Sequence, residues 1–273
     1  MLKFFEFVRW MVVPPKTPDS MEPGPGVNEA DMLEANREFY DPLWELSDVV
    51  RPEKFNTWPM IRELTANSLR RLEVGPGLRP RLPLDRGTTF LDLSPPAVAK
   101  LKANSADAMI GVVSSIPFAD ATFDVVCALD IVEHVDDDEG ALSELSRVAK
   151  PGAVFIVSVP LHPSRWQPFD TVVGHRRRYE PEAFFSKLRD HGFSIERSAD
   201  YGMQPDHPRL VEFGMKLLKT HQKEAMWWYN KVFMRLGLKF QSKLETREGV
   251  GNPQIVDQIL LICRKTTGEA LVG

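Results

Sequence analysis

At 273 residues the chain is long enough for one large α/β domain with appendages. Its 43% hydrophobic and 26% charged residues fit an ordinary globular protein, and a formal net charge of −4 offers no overall attraction to nucleic acid, so no nucleic-acid partner is expected. Cys127 and Cys263 both sit in apolar runs and read as buried thiols; this argues against a disulfide framework or a cysteine metal site and suits a reducing, cytoplasmic setting.

Residues 1–13 are apolar but broken by Lys3, Glu6 and Arg9, too short to span a bilayer and without a small-residue cleavage pattern. Phe4, Phe5, Val8, Met11 and Val12 fall at helical spacing, which reads as a helix packed on the protein itself or, alternatively, as a peripheral membrane contact. Prolines and glycines without periodicity make 14–26 a linker. Aromatic-rich helical patterns over 28–69 complete an N-terminal helical cap and linker, 1–69.

Short apolar runs of strand length follow at 72–74, 90–91, 108–110, 123–128 and 154–159, separated mostly by helical patterns at 96–103 and 139–148. This alternation predicts βαβ units and a parallel, doubly wound sheet. A further helix over 181–191 and a strand over 193–197 come next. A helical insert or lid over 204–252 then precedes one last strand at 258–263. The predicted divisions are the cap, an α/β domain over 70–265, and a tail over 266–273.

The chemistry is concentrated between Arg71 and Ser94. An apolar strand runs into Gly75-Pro76-Gly77, and a second strand ends in Asp92. Glycines let backbone approach a ligand where a Cβ would collide, and an acid after the second strand can accept hydrogen bonds from ribose hydroxyls. A dinucleotide fingerprint needs a third glycine three positions after the second, where Pro80 stands. Arg79-Pro80-Arg81-Leu82-Pro83-Leu84 also occupies the place of the first helix; proline withholds donors and biases its predecessor from the α region. The helix is therefore expected to be lost or cut to one turn. A pyrophosphate would then lack its helix N-terminus, which disfavours NAD or FAD but leaves a ligand with ribose and no pyrophosphate.

An ordered series of motifs carries a resemblance. Leu72-Glu73-Val74-Gly75-Pro76-Gly77, Phe90-Leu91-Asp92-Leu93-Ser94-Pro95, Ala128-Leu129-Asp130-Ile131-Val132-Glu133-His134-Val135, Arg147-Val148-Ala149-Lys150-Pro151-Gly152 and Gly174-His175-Arg176-Arg177-Arg178-Tyr179 occur in that order. Over about residues 69–199 the chain resembles the class I S-adenosylmethionine-dependent methyltransferases of the type 11-like small-molecule group. The resemblance implies a Rossmann-like seven-stranded sheet with an antiparallel last strand inserted beside the sixth, and S-adenosyl-L-methionine as cofactor. It implies that Glu73 orders the glycine loop beneath the methionine end, where Gly75, Pro76 and Gly77 let backbone approach. Asp92, with Leu93 and Ser94 beside it, would bind the ribose; Ala128 and Leu129 would line the methionine portion. Where such enzymes often carry an adenine-binding acid after the third strand, Gly111-Val112-Val113 stands here, so that contact is absent or falls to Ser114 or the backbone next to Val113.

Asp92 could instead cap the helix starting near Pro95, although Ser94 is better placed to do so. The run Asp136-Asp137-Asp138-Glu139 precedes a helix and is explained by the macrodipole; no metal is expected. His175 and His134 are the candidate catalytic residues, since an oxygen acceptor usually needs a base and a histidine titrates near neutrality. Arg176, Arg177 and Arg178 either bind an anionic acceptor or anchor their loop. The expected acceptor is a small or lipid-like molecule methylated at oxygen, and the protein a monomer or homodimer. The rivals are a catalytically inactive cofactor-binding protein of the same fold and a nicotinamide-dependent oxidoreductase.

Overall fold

The structure, a computed structural model, describes residues 37, 40, 41, 43–167, 170, 171, 173–202 and 227–267. The predicted helix at 1–13, the linker at 14–26, residues 204–226 of the insert and most of the tail lie outside the described residues. Among the described residues no helix is long and apolar enough to cross a membrane.

After helical turns among residues 37–45 comes α1 (Trp58–Thr65), then β1 (Arg71–Val74), β2 (Thr88–Asp92), α2 (Pro95–Ala103) and β3 (Asp107–Ile110). β4 (Phe123–Leu129), α3 (Asp138–Val148), β5 (Ala149–Pro160), α4 (Pro181–Asp190) and β6 (Phe193–Asp200) follow. The chain closes with α5 (Met234–Lys239), β7 (Thr246–Glu248) and β8 (Gln258–Lys265). The strand order is β3-β2-β1-β4-β5-β8-β6-β7. β1 to β5 pair in parallel, and β8 inserts antiparallel between β5 and β6. The sheet has one strand more than the seven expected: β7, which pairs antiparallel with β6. It lies inside the stretch expected to be helical, because a three-residue edge strand leaves too short a pattern to be read from sequence.

Strand alternation divides the core in two. Val125 and Cys127 of β4 and Val154 and Ile156 of β5 face one layer, with Ala97, Val98 and Leu101 of α2, Ile61 of α1, and Trp44. Val126 and Ala128, with Phe155 and Val157, face the other, where Leu142 and Leu145 of α3 and Phe184, Phe185 and Leu188 of α4 cover them. Cys127 and Cys263 are buried free thiols, one in each layer.

Between β1 and β2 no helix forms, as the prolines require. Leu78 and Leu82, fully buried, fill the volume a helix would have occupied. Arg79 and Arg81 lie over the rings of Trp44 and Phe55, at 5.6 and 3.5 Å from the centroids, so their stems extend the apolar cover.

Candidate active site

The carboxyl ends of β1, β2 and β4 surround a cavity of about 290 Å³, at the place where parallel α/β sheets bind ligands. β1 ends in a turn with Gly75 at φ +66° and Gly77 at φ +53°. A Cβ at Gly75 would come within 2.1 Å of the Ile131 side chain, and one at Gly77 within 2.2 Å of the Trp44 ring. Both glycines are needed for backbone conformation and because neighbouring side chains close over the turn.

Glu73 is buried beneath this turn. Its carboxylate accepts from the N–H of Arg81 at 2.8 and 3.0 Å and of Leu82 at 2.8 Å. Those donors would have been satisfied inside the missing helix, so Glu73 replaces its hydrogen bonds and fixes the loop. Burial pushes its pKa up to about 7 against the pull of these donors.

Asp92, at the end of β2, accepts from Gly77 N–H at 2.7 Å through Oδ2 and from Ser94 N–H at 2.8 Å through Oδ1. Burial raises its pKa to about 6. Each oxygen gives one lone pair to the backbone and keeps another, and the residue lines the cavity. Ser94 caps α2 by accepting from Ala97 N–H, so Asp92 is free of the capping role. Ser94 Oγ also donates to Asp41.

Of the expected cofactor-binding residues, Glu73, Gly75, Pro76, Gly77, Asp92, Leu93, Ser94, Val113, Ser114 and Leu129 line the cavity. Ala128 does not: it is fully buried opposite Val74 and Val157 in the α3/α4 layer, and alternation presents Leu129 instead. The wall also holds Arg37, Tyr40, Trp44, Arg79, Arg81, Asp130, Ile131, Val135 and Tyr201, none of them among the expected cofactor-binding residues. Tyr40 and Trp44 stack at 5.9 Å between centroids and roof the cavity from a segment with no motif. Aromatic density over 28–69 was the one signal that could have placed them there.

His134 also lines the cavity, whereas His175 stands behind it, the two rings meeting edge to face at 4.8 Å. Burial holds the His134 pKa well below the ordinary value, and His175 and Arg176 lower it further, so the ring is neutral. Its Nδ1 has no hydrogen-bond partner among the described residues. His175 Nδ1 lies 2.8 Å from Asp170 Oδ1, and Arg178 Nε donates to Asp170 Oδ2 at 2.9 Å.

The loop after β5 is tied to the turn after β4. Arg176 N–H donates to Glu133 C=O at 2.8 Å, and Tyr179 Oη bonds Asp138 Oδ2 at 2.9 Å. Arg177 reaches Asp138 at 3.1 Å, and Arg178 is buried on Asp170; both anchor their loop. The acidic run has comparable duties: Asp137 caps α3 through Gly140 N–H at 2.8 Å, and Asp138 and Glu139 pair with Lys187.

The comparisons with known proteins agree with this arrangement. The methyltransferase domain family matches residues 72–157. A Mycolicibacterium smegmatis protein carrying the name of an S-adenosylmethionine-dependent methyltransferase is 32% identical over 112 residues, 39% of this chain and 43% of its own. A demethylmenaquinone methyltransferase from Streptomyces avermitilis is 44% identical over 62 residues, 23% of this chain and 26% of its own. The chain thus spans less than half the length of these curated relatives. In fold, it superposes on phosphoethanolamine N-methyltransferase 2 of Haemonchus contortus with a TM-score of 0.54 at 16% identity, covering 90% of this chain and 62% of that one. Over residues 72–157 the chain therefore carries a methyltransferase domain, on the fold that S-adenosylmethionine-dependent methyltransferases share.

Proposed function

We propose that the protein transfers a methyl group from S-adenosyl-L-methionine to a small or lipid-like acceptor. The observation that carries this reading is Asp92: a buried carboxylate fixed by two backbone donors beneath a glycine turn, with a lone pair on each oxygen left for a diol. The residues fit the cofactor. Asp92 would hold the ribose hydroxyls, and the Gly75–Gly77 turn, kept in place by Glu73, would hold the amino-acid end. Leu129 and Ile131 would flank the middle, and Val113 and Ser114 the adenine. When bound, the cofactor supplies an electrophilic methyl on a sulfonium.

The protein's own contribution is to orient the acceptor and exclude water. Tyr40, Trp44 and Tyr201 offer an apolar roof and flank, which supports an acceptor with an apolar body, as does the relative named for demethylmenaquinone. His134 is neutral and lines the cavity, which supports a proton-accepting role toward an oxygen acceptor. His175, shielded from the cavity, would act through His134.

Calorimetry with S-adenosylhomocysteine tests the cofactor reading, and transfer of labelled methyl from S-adenosylmethionine to a panel of hydroxyl, amine and quinol acceptors tests the reaction. Saturable binding with turnover is expected. Binding without turnover on any acceptor class would favour the inactive rival; tight NADH binding in place of S-adenosylhomocysteine would favour the oxidoreductase.

A further inference from the structure

Glu133 is fully buried in the short turn after β4. Apart from its own N–H, which only partly offsets burial, neither carboxylate oxygen has a hydrogen-bond partner among the described residues. The charges that bear on it are those of two further acids, Asp130 and Asp170. A carboxylate withdrawn from water without partners is strongly unfavourable.

The surrounding groups make a pattern. His134 is bonded through its ring to the Gly174 backbone, and its Nδ1 is unpartnered among the described residues. His175 gives Nδ1 to Asp170, which Arg178 holds in turn, and turns Nε2 toward Glu133 Oε1 at 3.9 Å. One donor atom from each of Glu133, His134 and His175 lies within 4.8 Å of the other two. A carboxylate on the far nitrogen of an imidazole fixes the tautomer that leaves the near nitrogen free to coordinate.

We propose that Glu133, His134 and His175 bind one divalent first-row metal ion of the zinc class, with an open coordination position toward the cavity. Two imidazoles and one carboxylate suit such an ion better than magnesium or calcium, which take oxygen ligands. Bonds of about 2.0–2.2 Å at tetrahedral angles place donors about 3.4 Å apart, so the 3.9 Å between His175 Nε2 and Glu133 Oε1 is within a few tenths of an ångström of that span. A small side-chain rotation closes the remainder. The dication would offset Glu133 and the nearby Asp130 and Asp170, while Arg176, close to His134, is drawn outward by Asp136 at 3.5 Å.

An ion here deepens the functional reading, because it would place a Lewis acid beside the acceptor end of the cavity. It rests on that reading only for its role, since binding is measured without cofactor or acceptor. The full chain, stripped with a chelator, is titrated with Zn²⁺ and with Mg²⁺ by calorimetry, and with Co²⁺ by visible absorption. One equivalent of Zn²⁺ is expected, bound at least tenfold more weakly after Glu133→Gln and after His175→Asn, with Co²⁺ ligand-field bands lost in the same variants.

No Zn²⁺ uptake would overturn the proposal. So would uptake unchanged in both variants, which would place the ion elsewhere, for example at His191 and Glu139, 3.4 Å apart. Equal affinity for Mg²⁺ would overturn the ion class. Should a variant fail to fold, the Co²⁺ spectrum of the unaltered protein decides, and an aquo-ion spectrum overturns the site. S-adenosylhomocysteine binding by the stripped protein keeps the two readings separate: intact binding without Zn²⁺ uptake removes only the metal, and Zn²⁺ uptake without cofactor binding removes only the cofactor.

Discussion

The two sides of the cavity treat the same chemical group in opposite ways. On the β1–β2 side Glu73 and Asp92 are buried, and their oxygens receive backbone N–H donors. On the β4–β5 side Glu133 is buried as deeply, and among the described residues its oxygens receive nothing beyond the influence of its own N–H. A carboxylate satisfied by loop N–H groups is a structural member; one satisfied in part is a binding group; one left bare calls for a proton or a cation. Burial by itself therefore does not assign a role, and counting the remaining lone pairs does.

Swapping carboxylate for amide tests this contrast most severely. Glu73→Gln is expected to cost about 2–4 kcal/mol of stability, because an amide NH₂ cannot accept from Arg81 or Leu82 and leaves a buried donor unpaired. Glu133→Gln in metal-free protein is expected to cost less than about 1 kcal/mol, since no hydrogen bond from another residue is lost. Urea unfolding of the pair reads the difference, and equal costs would break the comparison.

Asp92 stands between the two extremes. Asp92→Ala is expected to weaken S-adenosylhomocysteine by about 1–3 kcal/mol through lost charged hydrogen bonds, as measured by calorimetry; unchanged affinity would remove it from the site.

A pH titration sharpens the same point. Ribose hydroxyls donate to the ionised carboxylate, whose pKa in the empty protein is raised to about 6. Affinity should be level above about pH 7 and fall as pH drops through 6, reaching about tenfold weaker, some 1.4 kcal/mol, at pH 5. In Asp92→Ala that dependence should vanish.

A last pair of substitutions separates the histidines. His134→Ala should lower kcat on an oxygen acceptor by about 10²-fold or more. His175→Asn, remote from the cavity, should act less strongly and mainly through the pH profile. A larger loss from His175 than from His134 would reverse their assignment.

Much of the sheet was legible in the sequence because β4 and β5 are apolar on both faces, and such strands show as continuous runs. The absent first helix was legible because Pro80 and Pro83 lack the donors a helix needs. The glycine turn and Asp92 were legible because Gly75 and Gly77 sit at a fixed distance from a second strand ending in an acid. β7 was not, being three residues long at a sheet edge. Nor were Tyr40 and Trp44, whose place above Gly77 depends on how a segment far back in the chain folds over the sheet. Ala128 and Leu129 were named together, and only the pleat chose between them.

Residue order thus determined the parallel core, the proline-rich bridge and the acid poised beneath the turn, since each rests on local constraints of dihedral angle, donor count and side-chain period. Tertiary structure alone decided which ionisable groups stay unsatisfied. Glu133 and His134 are neighbours in sequence, but His175, Asp170 and Arg178 reach them from a loop beyond the next strand. Whether a buried charge finds a partner is settled by that meeting in space, which no spacing along the chain encodes.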